Sequence, residues 1–334
     1  MKVKTQELKE ILRGLQPGIS QRKFVEQSAH YIFTGDRICS YNDRVSVSYP
    51  FVTDFQCSIP SESFYQVVSK LTSKEVQLEL VDNQLRVTSS KVKSGFSSLL
   101  EGEVFDILSS LIIKGDWIPL PNDFLKGVEL CLFSASTDQT QKFLSSICVR
   151  NKWVESSDDV RISCYSMEEG VPESFLLPVS SAKGLLGYNL VSYCINNGWV
   201  HFRLDSGGIF SSRIIAEEYP ETQSFFNVKG RVVDLPSNLL NVIEIASVLS
   251  EGDYELDKQI KLIISESSIV CKGENECGWI EKVIPFSWEG DSISFSINPI
   301  FFKQILEKST RMILSDDRAL FKSKSFSHVM ALQI

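Results

Sequence analysis

The chain repeats itself. Six times a short run of alternating apolar residues gives way to a Pro or polar break, after which apolar residues recur at helical spacing. The breaks fall at Lys4, Pro60, Pro121, Pro178, Pro236 and Asn298, which sets successive units 56, 61, 57, 58 and 62 residues apart. Ahead of them, Cys57-Ser58-Ile59, Phe175-Leu176-Leu177, Val233-Asp234-Leu235 and Phe295-Ser296-Ile297 read as half-buried strands. Behind them, the pairs Leu8/Ile11, Phe64/Val67, Leu125/Val128, Ala182/Leu185, Leu240/Ile243 and Phe302/Ile305 put one stripe of each short helix on a core. Proline suits a first helical turn, where its missing N–H loses no partner, and Ser61, Asn122 and Ser237 place polar groups at helix starts.

Short β-prone segments such as Val76–Leu80 and Leu85–Val87 fill the rest of each unit, so a unit is one helix with several antiparallel strands. A unit of about 60 residues buries too little apolar surface to stand alone. Pairing the units gives an α+β chain of three tandem domains, 1–115, 116–229 and 230–334, with glycine-bearing joints at Lys114-Gly115-Asp116 and Val228-Lys229-Gly230.

Composition narrows the function by exclusion. With 43% hydrophobic and 23% charged residues the chain is globular. Its longest apolar runs fall short of the roughly 20 residues that cross a bilayer, and the charged start Met1-Lys2-Val3-Lys4 does not resemble a secretion signal. The expectation is a protein that stays in the cytoplasm without a membrane partner. Eight cysteines scattered through apolar stretches read as buried, reduced thiols. Three histidines and no C-x-x-C leave no ordinary zinc site, so no metal and no cofactor are expected. A net charge of −8 argues against a protein that grips nucleic acid over its whole surface, yet allows a local basic lining. Cys131, Cys148 or Cys164 with His201, and the acid pairs Asp158-Asp159 and Asp316-Asp317, lack any supporting catalytic signature. No enzyme is expected and no catalytic residue is assigned.

Several stretches, in order along the six-unit period, resemble one family. Ser157-Asp158-Asp159-Val160-Arg161-Ile162-Ser163-Cys164-Tyr165-Ser166-Met167 is similar to T-D-G-H-R-L-A-x-x-x-M, and Ser212–Pro220 to S-[KR]-L-I-[DE]-G-x-F-P. Phe295–Phe302 looks like G-F-N-x-x-[YF]-L, and Met312–Asp316 with Val329-Met330-Ala331-Leu332 resembles the family's closing V-M-P-M. The family is the bacterial DNA polymerase III beta subunit, the sliding clamp. Asp159 and Val160 in place of Gly-His, Asn227 where Pro is usual, and Ala331 for the terminal Pro mark a divergent member, bacterial or viral.

The resemblance implies a head-to-tail homodimer closing into a ring around double-stranded DNA, which holds a polymerase and a clamp loader through short linear peptides. Closed head-to-tail contacts make rings. Five positions after each break stand Lys9, Tyr65, Lys126, Lys183, Asn241 and Lys303, a recurrence of lysine on the helix shoulders that suits loose phosphate contact. Arg13, Lys70 and Lys308 extend that surface, and Arg22 and Lys23 match the family's first-domain basic loop. The peptide pocket carries over to Leu144, Arg161, Ile162, Pro220, Phe225, Asn298, Phe301, Met330, Ala331 and Leu332, with Arg161 and Asn298 the polar members that could orient a peptide. The subunit interface carries over to Lys91, Lys93 and Phe96 on one side and Val248, Leu249, Glu274 and Glu276 on the other. A β-rich interaction scaffold that never encircles DNA is the alternative.

Overall fold

A computed structural model describes residues 1–20, 27–111, 113–252, 254 and 257–332. Seven α-helices appear among them: α1 (Thr5–Gly14), α2 (Ser61–Lys70), α3 (Glu103–Ser110), α4 (Phe124–Cys131), α5 (Val179–Leu185), α6 (Leu239–Ala246) and α7 (Pro299–Leu306). Six of them follow the six breaks. At Pro60 and Pro178 the helix starts on the next residue. At Pro121 and Pro236 a turn intervenes, closed by Phe124 N–H donating to Pro121 O and Leu239 N–H to Pro236 O, each at 3.0 Å.

The buried stripes differ by one position from expectation in three helices. Phe64 pairs with Val68 rather than Val67, Phe124 with Val128 in place of Leu125, and Leu239 with Ile243 in place of Leu240. Positions i and i+4 lie on one face as surely as i and i+3, and the larger or better placed apolar neighbour takes the core. Ser61 does not cap its helix; its hydroxyl donates to Ala29 O at 2.7 Å, and α6 starts from Asn238 without a side-chain cap. Asn298 does cap: its Oδ1 accepts from Ile300 N at 2.9 Å and Phe301 N at 3.2 Å, ahead of Pro299 in the first turn of α7.

By compactness the chain forms two units, one of Met1–Leu125 with Phe175–Glu217, the other of Lys126–Ser174 with Glu218–Ile334. In the first, an eight-stranded antiparallel sheet runs Cys57–Pro60, His30–Phe33, Arg37–Tyr41, Val45–Pro50, Ile209–Arg213, Trp199–Leu204, Leu190–Asn196, Ile118–Pro119. Its two halves join where Val47 pairs with Phe210. At the end of this sheet Ser58 is fully buried and accepts from Gln27 Nε2 at 2.9 Å, so Cys57, Ser58 and Ile59 are all interior and only Pro60 is exposed. A four-stranded sheet, Lys2–Lys4, Glu75–Val81, Gln84–Thr88, Lys93–Ser97, completes the unit around Phe33, Phe64 and Phe96.

The second unit holds a six-stranded sheet in the order Ser146–Ser157, Arg161–Pro178, Phe326–Ala331, Arg318–Ser323, Arg311–Leu314, Arg231–Asp234. Its halves join where Ile162 pairs with Val329. The accompanying four-stranded sheet runs Gly278–Pro285, Ser268–Asn275, Ile260–Ile264, Ile293–Ile297. Gly273 lets the second of these strands lie close under α6, since a Cβ there would collide with the Ala246 carbonyl.

Seven cysteines are buried and Cys277 is exposed, all as free thiols; burial pushes Cys39, Cys57 and Cys271 up to about 12. Among the described residues no helix is long and apolar enough to cross a membrane.

Candidate functional site

The turn after Ser157 is built by Asp158, whose Oδ1 accepts from the backbone N–H of Val160 and Arg161. Asp159, in the Gly position of the family pattern, takes φ +71, a left-handed conformation that Asp tolerates better than most residues. The turn aims Arg161 inward, where it is only 5% exposed. Its Nε donates to Asp158 Oδ2 at 2.8 Å, Nη1 to Gln304 Oε1 at 2.6 Å and Nη2 to Phe133 O. The guanidinium lies 3.6 Å from the Phe301 ring centre and 5.3 Å from that of Phe133. Burial lowers its pKa and the Asp158 carboxylate opposes that shift. Arg161 is therefore a strut between the turn, α7 and the segment after α4. Asn298, at 8% exposure, is spent on capping α7. Both residues expected to orient a peptide thus have partners within the unit.

Beside this strut Ile162, Leu320 and Val329 form an apolar cluster against which the partly buried Phe226, Val228 and Ile313 pack. Phe225 is 45% exposed beneath the Arg318 guanidinium at 5.7 Å, and Pro220 and Ala331 are exposed. Leu144, Phe301, Met330 and Leu332 are interior. Phe226, Val228, Ile313 and Leu320, outside the expected list, belong to this cluster, with Ile313 and Leu320 register partners in adjacent strands.

The helix cations divide. Lys9 Nζ donates to Leu71 O at 2.7 Å, tying α1 to the end of α2, and Lys303 is ion-paired with Glu244. Arg13, Lys70, Lys126 and Lys183 are exposed, with Lys126 Nζ 5.9 Å from the Tyr165 ring centre. Arg22 and Lys23 lie outside the described residues.

Lys93–Ser97 in the first unit and Gly278–Pro285 in the second each form one edge of a four-stranded sheet. Lys91 and Lys93 are exposed, but Phe96 faces the core, its ring centre 5.2 Å from that of Phe64. In the same unit as the other edge, Glu274 on the neighbouring strand and Glu276 in the turn are exposed, and after α6 Leu249 is half-buried and Val248 is 75% exposed. Sequence reasoning missed Trp279 and Val283, 72% and 52% exposed on one face of that edge strand, with Trp279 the register partner of Glu274. A tryptophan in a strand is as well explained by a core as by a surface, so the residue type alone carried no signal.

No protein-family model matches the chain, and no curated protein does. Solved structures do match along its whole length. The DNA polymerase sliding clamp of Bacillus subtilis superposes with a TM-score of 0.81 at 17% identity, over 100% of this chain and 98% of that one. The DNA polymerase III beta chain of Streptococcus pneumoniae gives 0.85 at 15% identity, over 100% and 99%. The Pseudomonas aeruginosa sliding clamp, solved bound to griselimycin, gives 0.84 at 12% identity, over 100% and 99%. With helix following each break and sheets joined in pairs, the chain has the fold of the bacterial DNA polymerase III beta subunits, the sliding clamps.

Proposed function

We propose that the chain is a sliding-clamp subunit: two copies join head to tail into a ring of six domains, duplex DNA threads the ring, and a polymerase is tethered to it. The carrying observation is the whole-length likeness to sliding clamps from distant bacteria. In this reading each chain contributes domains 1–115, 116–229 and 230–334, and the protein acts in the cytoplasm of a bacterium or of a virus-infected host without catalysing a reaction. Lys126, Lys183, Arg13 and Lys70, exposed on their helices, supply weak phosphate contacts, with Arg22 and Lys23 added by resemblance. Polymerase and clamp loader dock by linear peptides against the exposed Phe225 and the half-buried Phe226 and Val228, which rest on the buried Ile162, Leu320 and Val329. Lys91 and Lys93 meet Glu274 and Glu276 across the subunit contact.

Topological retention is the direct test. A loaded ring stays on a closed circular plasmid through a wash in high salt and leaves once the plasmid is cut. A scaffold or surface binder shows the same release from circle and linear DNA, and that result would sink the ring. Lys126→Glu with Lys183→Glu should speed sliding-off from linear DNA and slow loading, more so at low salt, because each lost phosphate contact lessens the salt dependence of binding by about one ion.

A further inference from the structure

We infer that Glu155 is a positioning residue for the docking surface, an inference that rests on the peptide-docking role proposed above. Its carboxylate is completely buried in the strand Ser146–Ser157. A buried carboxylate is costly unless its oxygens are met by donors and a counter-charge. Here Oε2 is ion-paired with Arg150 Nη2 at 2.8 Å, and Oε1 accepts from Thr222 Oγ1 at 3.1 Å, from Gln223 Nε2 and, more weakly, from Cys164 Sγ at 3.6 Å. Arg150 reaches on to the same segment, pairing with Glu221 at 2.7 Å and donating to Pro220 O at 3.4 Å.

What these groups hold is stretch 219–228, which lies in no described strand. Its described backbone hydrogen bonds stay within the segment, Phe225 N to Thr222 O and Asn227 N to Ser224 O. The side-chain bonds to Glu155 and Arg150 therefore tie its start to the sheet, while two to six residues further on Phe226 and Val228 pack on the apolar cluster and Phe225 lies under Arg318. One interior charge so sets where the chain enters this wall of the docking surface. A wall freed to drift by about 1 Å is enough to cost a designed or natural site much of its affinity.

The full chain with three substitutions tests this, using griselimycin as the probe ligand in titration calorimetry and hydrogen exchange on the unliganded protein. Glu155→Val removes all four interactions; Gln223→Leu breaks the anchor from the segment side without disturbing the strand; Glu155→Gln keeps an oxygen for Thr222 and Gln223. Expected are binding about tenfold weaker or worse for Glu155→Val and Gln223→Leu, faster exchange at the Phe225 and Asn227 amides, unchanged exchange in Phe326–Ala331, and substantial recovery in Glu155→Gln. Wild-type affinity in both disruptive variants, or exchange raised evenly through the unit, would overturn the positioning role. A wild-type chain that takes up no griselimycin while those two amides still respond would overturn the docking surface and leave the anchor standing. Unresponsive amides overturn the anchor whatever the ligand does.

Discussion

His201 sits inside the eight-stranded sheet at 2% exposure, its Nδ1 2.7 Å from Ser211 Oγ, and burial lowers its pKa from 6.5 to about 4. The unfolded chain takes up this proton near pH 6.5 and the folded chain only near 4, so stability falls as pH drops through that window and levels off below it. The loss from this residue is bounded at about 3 kcal/mol. His328, fully buried with its pKa also driven well down by desolvation, acts in the same direction. Urea unfolding at pH 7 and pH 4.5 should therefore show a drop that His201→Gln shrinks; an equal drop in the variant would clear His201 of the effect. The sequence revealed that histidines were few, but whether a histidine in an alternating strand is solvated or sealed depends on what covers that face. Arg161 and Asn298 show the same limit. A polar residue amid apolar ones marks either a binding contact or an internal strut, and only the partners, Asp158 and Gln304 for one and the α7 amides for the other, decide.

At the scale of elements the helices were legible because each announces itself twice, by a break and by a stripe. Asn298 is the break that works hardest as a cap. Asn298→Ala should destabilise the second unit by about 1 kcal/mol, while Asn298→Asp, which retains an acceptor, should cost much less. Thermal or chemical unfolding compares the two, and equal losses would mean that the cap bonds contribute little. Helix α3 was not legible. It starts from Gly102, at φ +152, with no proline ahead of it and at a place where the repeat has no helix. Its Val104, Phe105, Ile107, Leu108 and Leu111 pack on Ile32, Cys39, Tyr41 and Trp199, partners brought from about 60 to 100 residues away, and no local pattern encodes such a contact. The one-position shifts of stripe in α2, α4 and α6 have a related cause. Spacing fixes the face of a helix to within one residue, and the shape of the core chooses between neighbours.

For the whole molecule the repeat announced six of the seven described helices, while composition said little about assembly. The proposed assembly draws on the edge strand Gly278–Pro285. An unpaired sheet edge invites another strand, and proteins that stay single guard such edges with charge or cover. This one alternates Trp279, Glu281 and Val283 on one face, with the exposed Val248 and Ile245 of the α6 region nearby in the same unit. Exposed tryptophan and valine beside glutamates suit an interface core with a charged rim. In the proposed ring the partner is the edge strand Lys93–Ser97 with Lys91 just ahead of it, which adds opposite charge. Trp279→Glu with Val283→Lys should leave the far-ultraviolet circular dichroism intact and convert a dimer into a 37.7 kDa monomer by sedimentation velocity. Reversing Lys91 and Lys93 to Glu should weaken the dimer, and adding Glu274→Lys with Glu276→Lys should restore part of it, since a swapped pair of charges regains what a single reversal loses. A double edge variant that still sediments as a dimer would put the subunit contact elsewhere, and with it the closure on which retention around DNA depends.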